Sequence, residues 1–338
     1  MRHSLVLGLG LVALVAAILC GLAFGSESFS PQEIMAALLS PTRQQQAEQV
    51  PSFVSTIIRE IRLPRILLAG LCGGLLAGAG AVFQGFFRNP LADSGIMGIS
   101  SGAALGAVSS ALFPALLPSL STPLMAFAGA LLTALIVVAV ARLQGQYGST
   151  TIIILTGTAV SAFFSALTSL LVLTKDRELY KIFVWILGSF NGKGWNELNL
   201  ILPVALVAII LLCLCPRSLD LLGGGETSAQ SLGLNLAATK ALTLGAGSLA
   251  AAAAVCTGGT IGFVGLIVPH LLRKLHSPRH SILIPASILW GASFLILCDL
   301  LARIAIPPAE IPVGLVTSLA GAPFFVFLLL AGRRESYE

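Results

Sequence analysis

Apolar residues run along this chain in blocks longer than a soluble helix needs, and the polar stretches between them are mostly short. The most instructive block covers residues 66–87, 22 positions without a charge, bounded by Arg62-Leu63-Pro64-Arg65 and by Arg88-Asn89-Pro90. At about 1.5 Å per residue such a helix crosses a hydrocarbon core of roughly 30 Å. Gly70, Gly74 and Gly78 recur every four residues inside it. That spacing predicts one bare helix face on which a neighbouring backbone can lie close.

The same reading applies along the rest of the chain. Residues 4–26 form an apolar run behind Arg2, and the large Leu19 suits a span better than a cleavage site. Residues 27–60 carry Pro31, Pro41 and Pro51 and read as an exported loop with a short helix near Pro31. Residues 94–141 are uncharged over 48 positions, too many for one crossing, and predict two spans broken near Pro114, Pro118 and Pro123. A fifth span is expected over 150–174. The apolar stretch 182–191 is too short to cross and predicts an interfacial or re-entrant piece. Further spans are expected at 198–215, two within 241–272 broken at Thr257-Gly258-Gly259-Thr260, then 282–302 and 311–332. The total is ten, which puts both termini on one side. The expectation is an all-α polytopic membrane protein, a single transmembrane domain over 1–338 with polar loops at 27–60 and 216–240.

Composition agrees: 56% of the 338 residues are apolar, 10% are charged, and the mean hydropathy is +0.96. The net charge of +5 comes from single basic residues in short loops, so it does not point to nucleic acid. With the amino terminus inside, ten of the nineteen Lys and Arg fall on the inner side, so the positive-inside rule barely decides orientation. Arg62, Arg65 and Arg303 then sit at outer span ends. Basic residues kept outside against the usual bias suggest a use there, such as docking a partner, with snorkelling to lipid headgroups as the plain alternative.

Several chemistries are disfavoured. All six cysteines fall in apolar runs, so neither disulfides nor a thiolate metal site is expected. His270, His276 and His280 do not share a helix face as metal ligands would. Gly98-Ile99-Ser100-Ser101-Gly102 has the spacing of a nucleophile elbow but no strand before it. A Gly-x-x-x-x-Gly-Lys-Ser/Thr phosphate loop is missing, so no ATP cradle of that kind is expected and no cofactor on this chain. An ion-gradient-driven secondary transporter needs ionisable residues at mid-span, and Asp93, Asp299 and Glu310 lie at or near span ends.

Arg62-Leu63-Pro64-Arg65, the stretch from Gln84 to Asp93, Gly98-Ile99-Ser100-Ser101-Gly102-Ala103, the run from Gly262 to Val268 followed by Pro269-His270, and Gly321-Ala322-Pro323-Phe324-Phe325 occur in an order that resembles the FecCD family. These are membrane subunits of bacterial ABC importers for siderophores, haem and cobalamin. The resemblance spans nearly the whole chain. It implies a type II importer permease of the inner membrane, with both termini cytoplasmic. The implied partners are a second permease copy, identical or related, two ATPase subunits carrying ATP and Mg, a periplasmic or lipid-anchored substrate-binding protein, and membrane lipid.

By the same resemblance, Arg62, Arg65 and Arg303 match positions that receive acidic residues of the binding protein, a task suited to a planar guanidinium fork. Leu219, Gly223, Gly225, Glu226, Ala229, Leu232 and Gly233 match coupling helices that seat on the ATPase. Asn89, Leu91, Ser149 and Thr150 match a cytoplasmic gate, although Asn89-Pro90 equally suits a plain turn. A pathway lining of Thr156, Ser161, Ser165 and Thr168 on the fifth span, and of Gly314, Thr317, Ser318 and Gly321 on the tenth, is implied as well. None of these eight carries a charge that would hold a chelate tightly.

Overall fold

The computed structural model describes residues 2–39, 52–112, 122–143, 150–173, 179–276 and 279–335. Among them the chain is helical, with no strand beyond a single bridge between Ile306 and Ala309. The first half holds α1 (Arg2–Ala23), α2 (Pro31–Leu39), α3 (Ser52–Thr56), α4 (Leu63–Phe86), α5 (Ile99–Leu112), α6 (Thr122–Leu143) and α7 (Thr150–Val172). The second half holds α8 (Leu179–Ile186), α9 (Trp195–Leu214), α10 (Pro216–Gly223), α11 (Glu226–Ser231), α12 (Leu236–Gly258), α13 (Val264–Leu275), α14 (His280–Ile304) and α15 (Val313–Glu335).

Among the described residues seven helices are long and apolar enough to cross a membrane: Ser4–Ala23, Phe53–Phe86, Thr122–Leu143, Thr150–Val172, Trp195–Leu214, Leu236–Gly258 and His280–Ile304. The other three expected crossings are occupied by α5, α13 and α15. Of these, α13 has only 12 residues, about 18 Å of helix and less than a bilayer core.

The helix beginning at Ser52 runs through a π-helical turn, Ile57–Arg62, directly into α4. The expected exported loop therefore ends earlier than its proline pattern suggested, because Ile58 is fully buried and the apolar face continues across the turn. Helix α4 is the axis of the bundle. All but Leu63, Leu67 and Leu71 of its 24 residues are buried, and α1, α9, α10, α12, α13 and α14 all pack on it. Burial falls outward, from 89% of the Phe53–Phe86 window and 78% of Leu236–Gly258 to 17% of Thr150–Val172. Thus α4 and α12 are internal, and α7 lies on the rim.

Glycine sets how closely the helices meet. A Cβ on Gly70 would stand 3.0 Å from the Ile296 Cδ1, one on Gly74 3.1 Å from Ile288, and one on Gly78 2.9 Å from the Leu212 Cδ1. The expected bare face is therefore packed, but against side-chain ends for the most part. Tighter approaches lie on other faces: a Cβ on Gly73 would be 2.3 Å from the Gly291 oxygen of α14, and one on Gly80 1.9 Å from the Gly265 oxygen of α13. The α5–α6 hairpin closes in the same way, with Gly129 facing the Gly102 oxygen.

Between α12 and α13 the backbone leaves the helix inside the bundle. Thr257 meets Cys72 at 3.2 Å, and Gly265 meets Gly80, positions about 12 Å apart along α4. The irregular segment 259–263 therefore descends through the protein interior, where backbone groups must find partners. Ser189 N–H donates to the Gly258 oxygen at 2.9 Å and Gly314 N–H to the Gly188 oxygen at 3.3 Å. The Thr260 hydroxyl donates to the Ile186 oxygen. Phe263 holds a left-handed φ of 68°, and its ring fills the space at Gly321, where a Cβ would be 2.4 Å away.

Candidate functional site

The three arginines singled out from the sequence meet at one end of the bundle, at the start of α4 and the end of α14. They do not project from it: Arg62, Arg65 and Arg303 are 4%, 6% and 7% exposed, which rules out snorkelling and places their partners inside the chain. Arg65 forms a fork on Asp299, with Nη2 at 2.8 Å and Nε at 3.0 Å from its two oxygens, and donates from Nη1 to Glu310 at 2.9 Å. Arg303, one helical turn after Asp299, places Nε 3.4 Å from Asp299 and donates to the Gly21 oxygen at 3.2 Å. Arg62 donates to the carbonyls of Leu22, at 2.6 Å, and Glu27, and lies 4.5 Å from the centroid of the Phe29 ring. Gly25 leaves the room its guanidinium needs.

These residues thus clasp α1, α4 and α14. The expected picture of three outward-facing forks changes in one respect: a docking carboxylate would have to share or displace internal partners. Glu310, with a side chain 30% exposed, is the accessible one, whereas Asp299 is 2% exposed. The sequence reading named both acids as lying near span ends and missed that they complete the cluster.

At the opposite end α4 stops at Phe86 and Arg88 takes a left-handed φ of 49°. Asn89 Oδ1 accepts the Leu91 N–H at 2.9 Å, the Asx turn that its proline neighbour suggested, and Leu91 is exposed. Burial pushes the Asp93 carboxyl above its ordinary range, although it accepts the Gly95 N–H. Thr150 opens α7 and is half-buried; Ser149 lies outside the described residues.

The expected coupling segment is two short helices. Leu219 and Leu222 anchor α10 and Ala229 anchors α11, while Gly223, Gly233 and Leu232 are exposed, Leu232 by 70%. Gly225 and Gly233 adopt φ of 100° and 84°, conformations that side chains disfavour. Glu226 pairs with Lys240 at 2.9 Å, fastening α11 to α12.

The expected pathway residues divide. Ser165 is exposed on α7, and Thr156, Ser161 and Ser318 are half-buried. Thr168 is buried and donates back to the Phe164 oxygen at 2.8 Å. Thr317 is buried and bonds the Gly314 oxygen at 3.1 Å, Gly314 abuts the Leu187 carbonyl, and Gly321 holds Phe263. Those four face the chain's own packing. Exposed positions on the same helices include Leu155, Thr158, Phe163, Ser165 and Ser169 on α7 and Leu315 and Leu319 on α15.

One unanticipated cation lies between α8 and α9. Lys193 sits over the Phe190 ring, 5.8 Å from its centroid, and donates to the Thr257 oxygen. Burial pushes its ammonium down to about 8.

Comparison with known proteins places the whole bundle in a family. The model of the FecCD transport family matches residues 13–331. The chain belongs to the FecCD transport family. Among its FecCD-type relatives, a cobalamin import system permease protein of Halobacterium salinarum is 44% identical over 280 residues, covering 83% of this chain and 75% of that protein. An Fe(3+) dicitrate transport system permease protein of Escherichia coli is 38% identical over 279 residues, 82% of this chain and 86% of that protein. A solved structure of a metal-chelate type ABC transporter in an inward-facing conformation superposes with a TM-score of 0.82 at 32% identity, over 96% of this chain and 98% of the other.

Proposed function

We propose that this chain is the permease subunit of an ATP-driven ABC importer that carries an iron-siderophore or related metal chelate, such as haem or cobalamin, into the cytoplasm. The observation that carries the reading is the end-to-end likeness to a metal-chelate type ABC transporter, over 96% of the chain. The permease works as a pair, either of identical copies or with a related chain, in the bacterial inner membrane. Two ATPase subunits supply ATP and Mg, and an external binding protein selects the cargo.

In this reading the arginine clasp faces outside and α10–α11 faces the ATPase. A binding-protein carboxylate reaches Arg65 from the side of Glu310, exchanging one acid for another while Asp299 stays in place. ATP-driven closure of the ATPases moves α10 and α11, which are anchored by Leu219 and Ala229, and the rim helices α7 and α15 open to one side at a time. The exposed residues of α7 are apolar or hydroxyl-bearing, so cargo is passed rather than held.

A secondary transporter is disfavoured by Asp299, the acid buried deepest in a span: both its oxygens are taken by Arg65, leaving no place for a coupling ion. The test is uptake into vesicles holding permease, ATPase and binding protein. Uptake that requires ATP and persists with an uncoupler supports the proposal; uptake without the ATPase, or collapse with the proton gradient, refutes it.

A further inference from the structure

A cavity of about 580 Å³ opens at the Asn89 end of the bundle, between the end of α4, helix α10, the end of α13 and the start of α14. Three guanidinium groups line it, from Arg88, Arg273 and Arg279, against one carboxylate, Asp220. That carboxylate is already engaged: its Oδ1 accepts the His280 N–H at 3.0 Å and faces the His280 Nδ1 at 2.6 Å. Arg273 donates to the neutral Gln84 Oε1 at 3.2 Å, and Gln84 is itself held by its amide on the Gly265 oxygen at 3.1 Å. Among the described residues neither Arg88 nor Arg273 has a carboxylate at ion-pair distance.

Two independent features mark the place as more than a basic rim. The His280 Nε2 is buried without a hydrogen-bond partner, on a residue only 8% exposed. The ring packs directly against the Gly85 backbone, where a Cβ would stand 2.4 Å from Nε2. Arg88, at φ 49°, holds a backbone conformation unusual for a side-chain-bearing residue, a cost of the kind that persists at functional positions. The partly desolvated Arg273 guanidinium without counter-charge is costly and calls for an anion.

We infer that this cavity binds a phosphate group. Guanidinium forks from three elements suit a tetrahedral anion with several acceptor oxygens better than a planar carboxylate, and His280 keeps the Asp220 carboxylate engaged at its Nδ1. All four elements reach the cavity at span ends, the depth of lipid headgroups, where basic pockets between helices take anionic phosphodiesters. Phosphate is the shared chemistry, and its source is either an anionic lipid or a soluble phosphate.

The full chain, delipidated in neutral detergent, is titrated with phosphatidylglycerol and with phosphatidylcholine by native mass spectrometry, and with inorganic phosphate by thermal melting. One phosphatidylglycerol should be retained in preference to phosphatidylcholine, with affinity falling roughly tenfold on Arg273→Gln and again on Arg88→Gln. Arg88 is exposed, so its variant tests the site without disturbing the Gln84 contact. Selective lipid retention without a response to inorganic phosphate assigns a lipid; a raised midpoint with phosphate alone assigns a soluble ligand. Equal retention of both lipids with no phosphate response overturns the inference, as does binding that survives both substitutions. Loss of a co-purified ATPase from these variants, with neither phosphate source bound, would assign the cavity to a protein carboxylate and overturn it as well.

Discussion

The backbone contact between α4 and α13 predicts a large effect from one methyl group. In Gly80→Ala the new Cβ would lie 1.9 Å from the Gly265 oxygen, against roughly 3.5 Å for an ordinary non-bonded contact. The deficit of about 1.6 Å cannot be absorbed by a rotamer, because both sides are backbone. The helices must part, and gaps of 0.5–1 Å already forfeit about a quarter to a half of each dispersion contact. Overpacking of this kind costs about 1–3 kcal/mol or more. In Gly74→Ala the nearest atoms are Ile288 Cγ2 and its carbonyl at 3.1 Å, a shift of a few tenths of an ångström, offset by about 1 kcal/mol of helix propensity gained over glycine. Thermal melting in one detergent should therefore leave Gly74→Ala near the parent and lower Gly80→Ala by about 5 °C, at about 2 °C per kcal/mol for a large chain. Gly74→Leu, which must also place its branch against Ile288, should melt far below both. A Gly80→Ala protein melting at or above Gly74→Ala would show that the two helices do not meet through these glycines.

Three further outcomes follow from the packing and charges of the bundle. Arg65→Glu should destabilise the permease itself by about 3–5 kcal/mol, since it sets a third acid against Asp299 and Glu310; a variant that melts like the parent but fails to bind its partner would restore a purely docking role. Lys193, held near 8 by burial rather than at its ordinary 10.5, should be acylated by amine reagents with a midpoint near pH 8, and because the unfolded chain retains that proton to higher pH, folding stability should rise between about pH 8 and 10.5; a labelling midpoint above pH 10 would refute the burial. Ser165→Cys should react with a membrane-permeant thiol reagent and Thr168→Cys, on a position 7% exposed, should not; equal labelling would mean that α7 is rotated from the orientation described.

What could be read in the sequence was whatever repeats along a single helix. The uncharged block at 66–87 and the period of Gly70, Gly74 and Gly78 are local patterns, and both the buried helix and its packed face are found. Gly73 and Gly80 carry no comparable signal, because their contacts depend on which backbone arrives from Gly291 and Gly265, more than 180 residues away. The arginines were visible as charges at span ends, yet their state was not: Asp299 lies 234 residues from Arg65 and Glu310 lies 245 away. The irregular segment 259–263 was marked by its glycines, but Phe263 in a left-handed conformation has no sequence signature, since it depends on Gly321 leaving it room.

These contacts also say which parts of the bundle can move. Helix α4 runs about 28 Å between Arg65 and Gln84, and its glycines lock it to α13 and α14 through backbone atoms, so sliding any one of the three past the others must first open contacts near 2 Å in Cβ terms. Packed cores of this kind shift between discrete arrangements or not at all. By contrast α7 buries only 17% of its window, and α15 packs on α14 and α13, with Gly321 against the ring of Phe263 and Gly314 against the Leu187 carbonyl. If α10 is driven by the ATPase as proposed, α4 is the rigid lever and α7 and α15 are the yielding walls. The clasp at Arg65 and the Asn89 turn are fixed to that same lever, so under the proposed mechanism a displacement at one end of the bundle would be carried to the other.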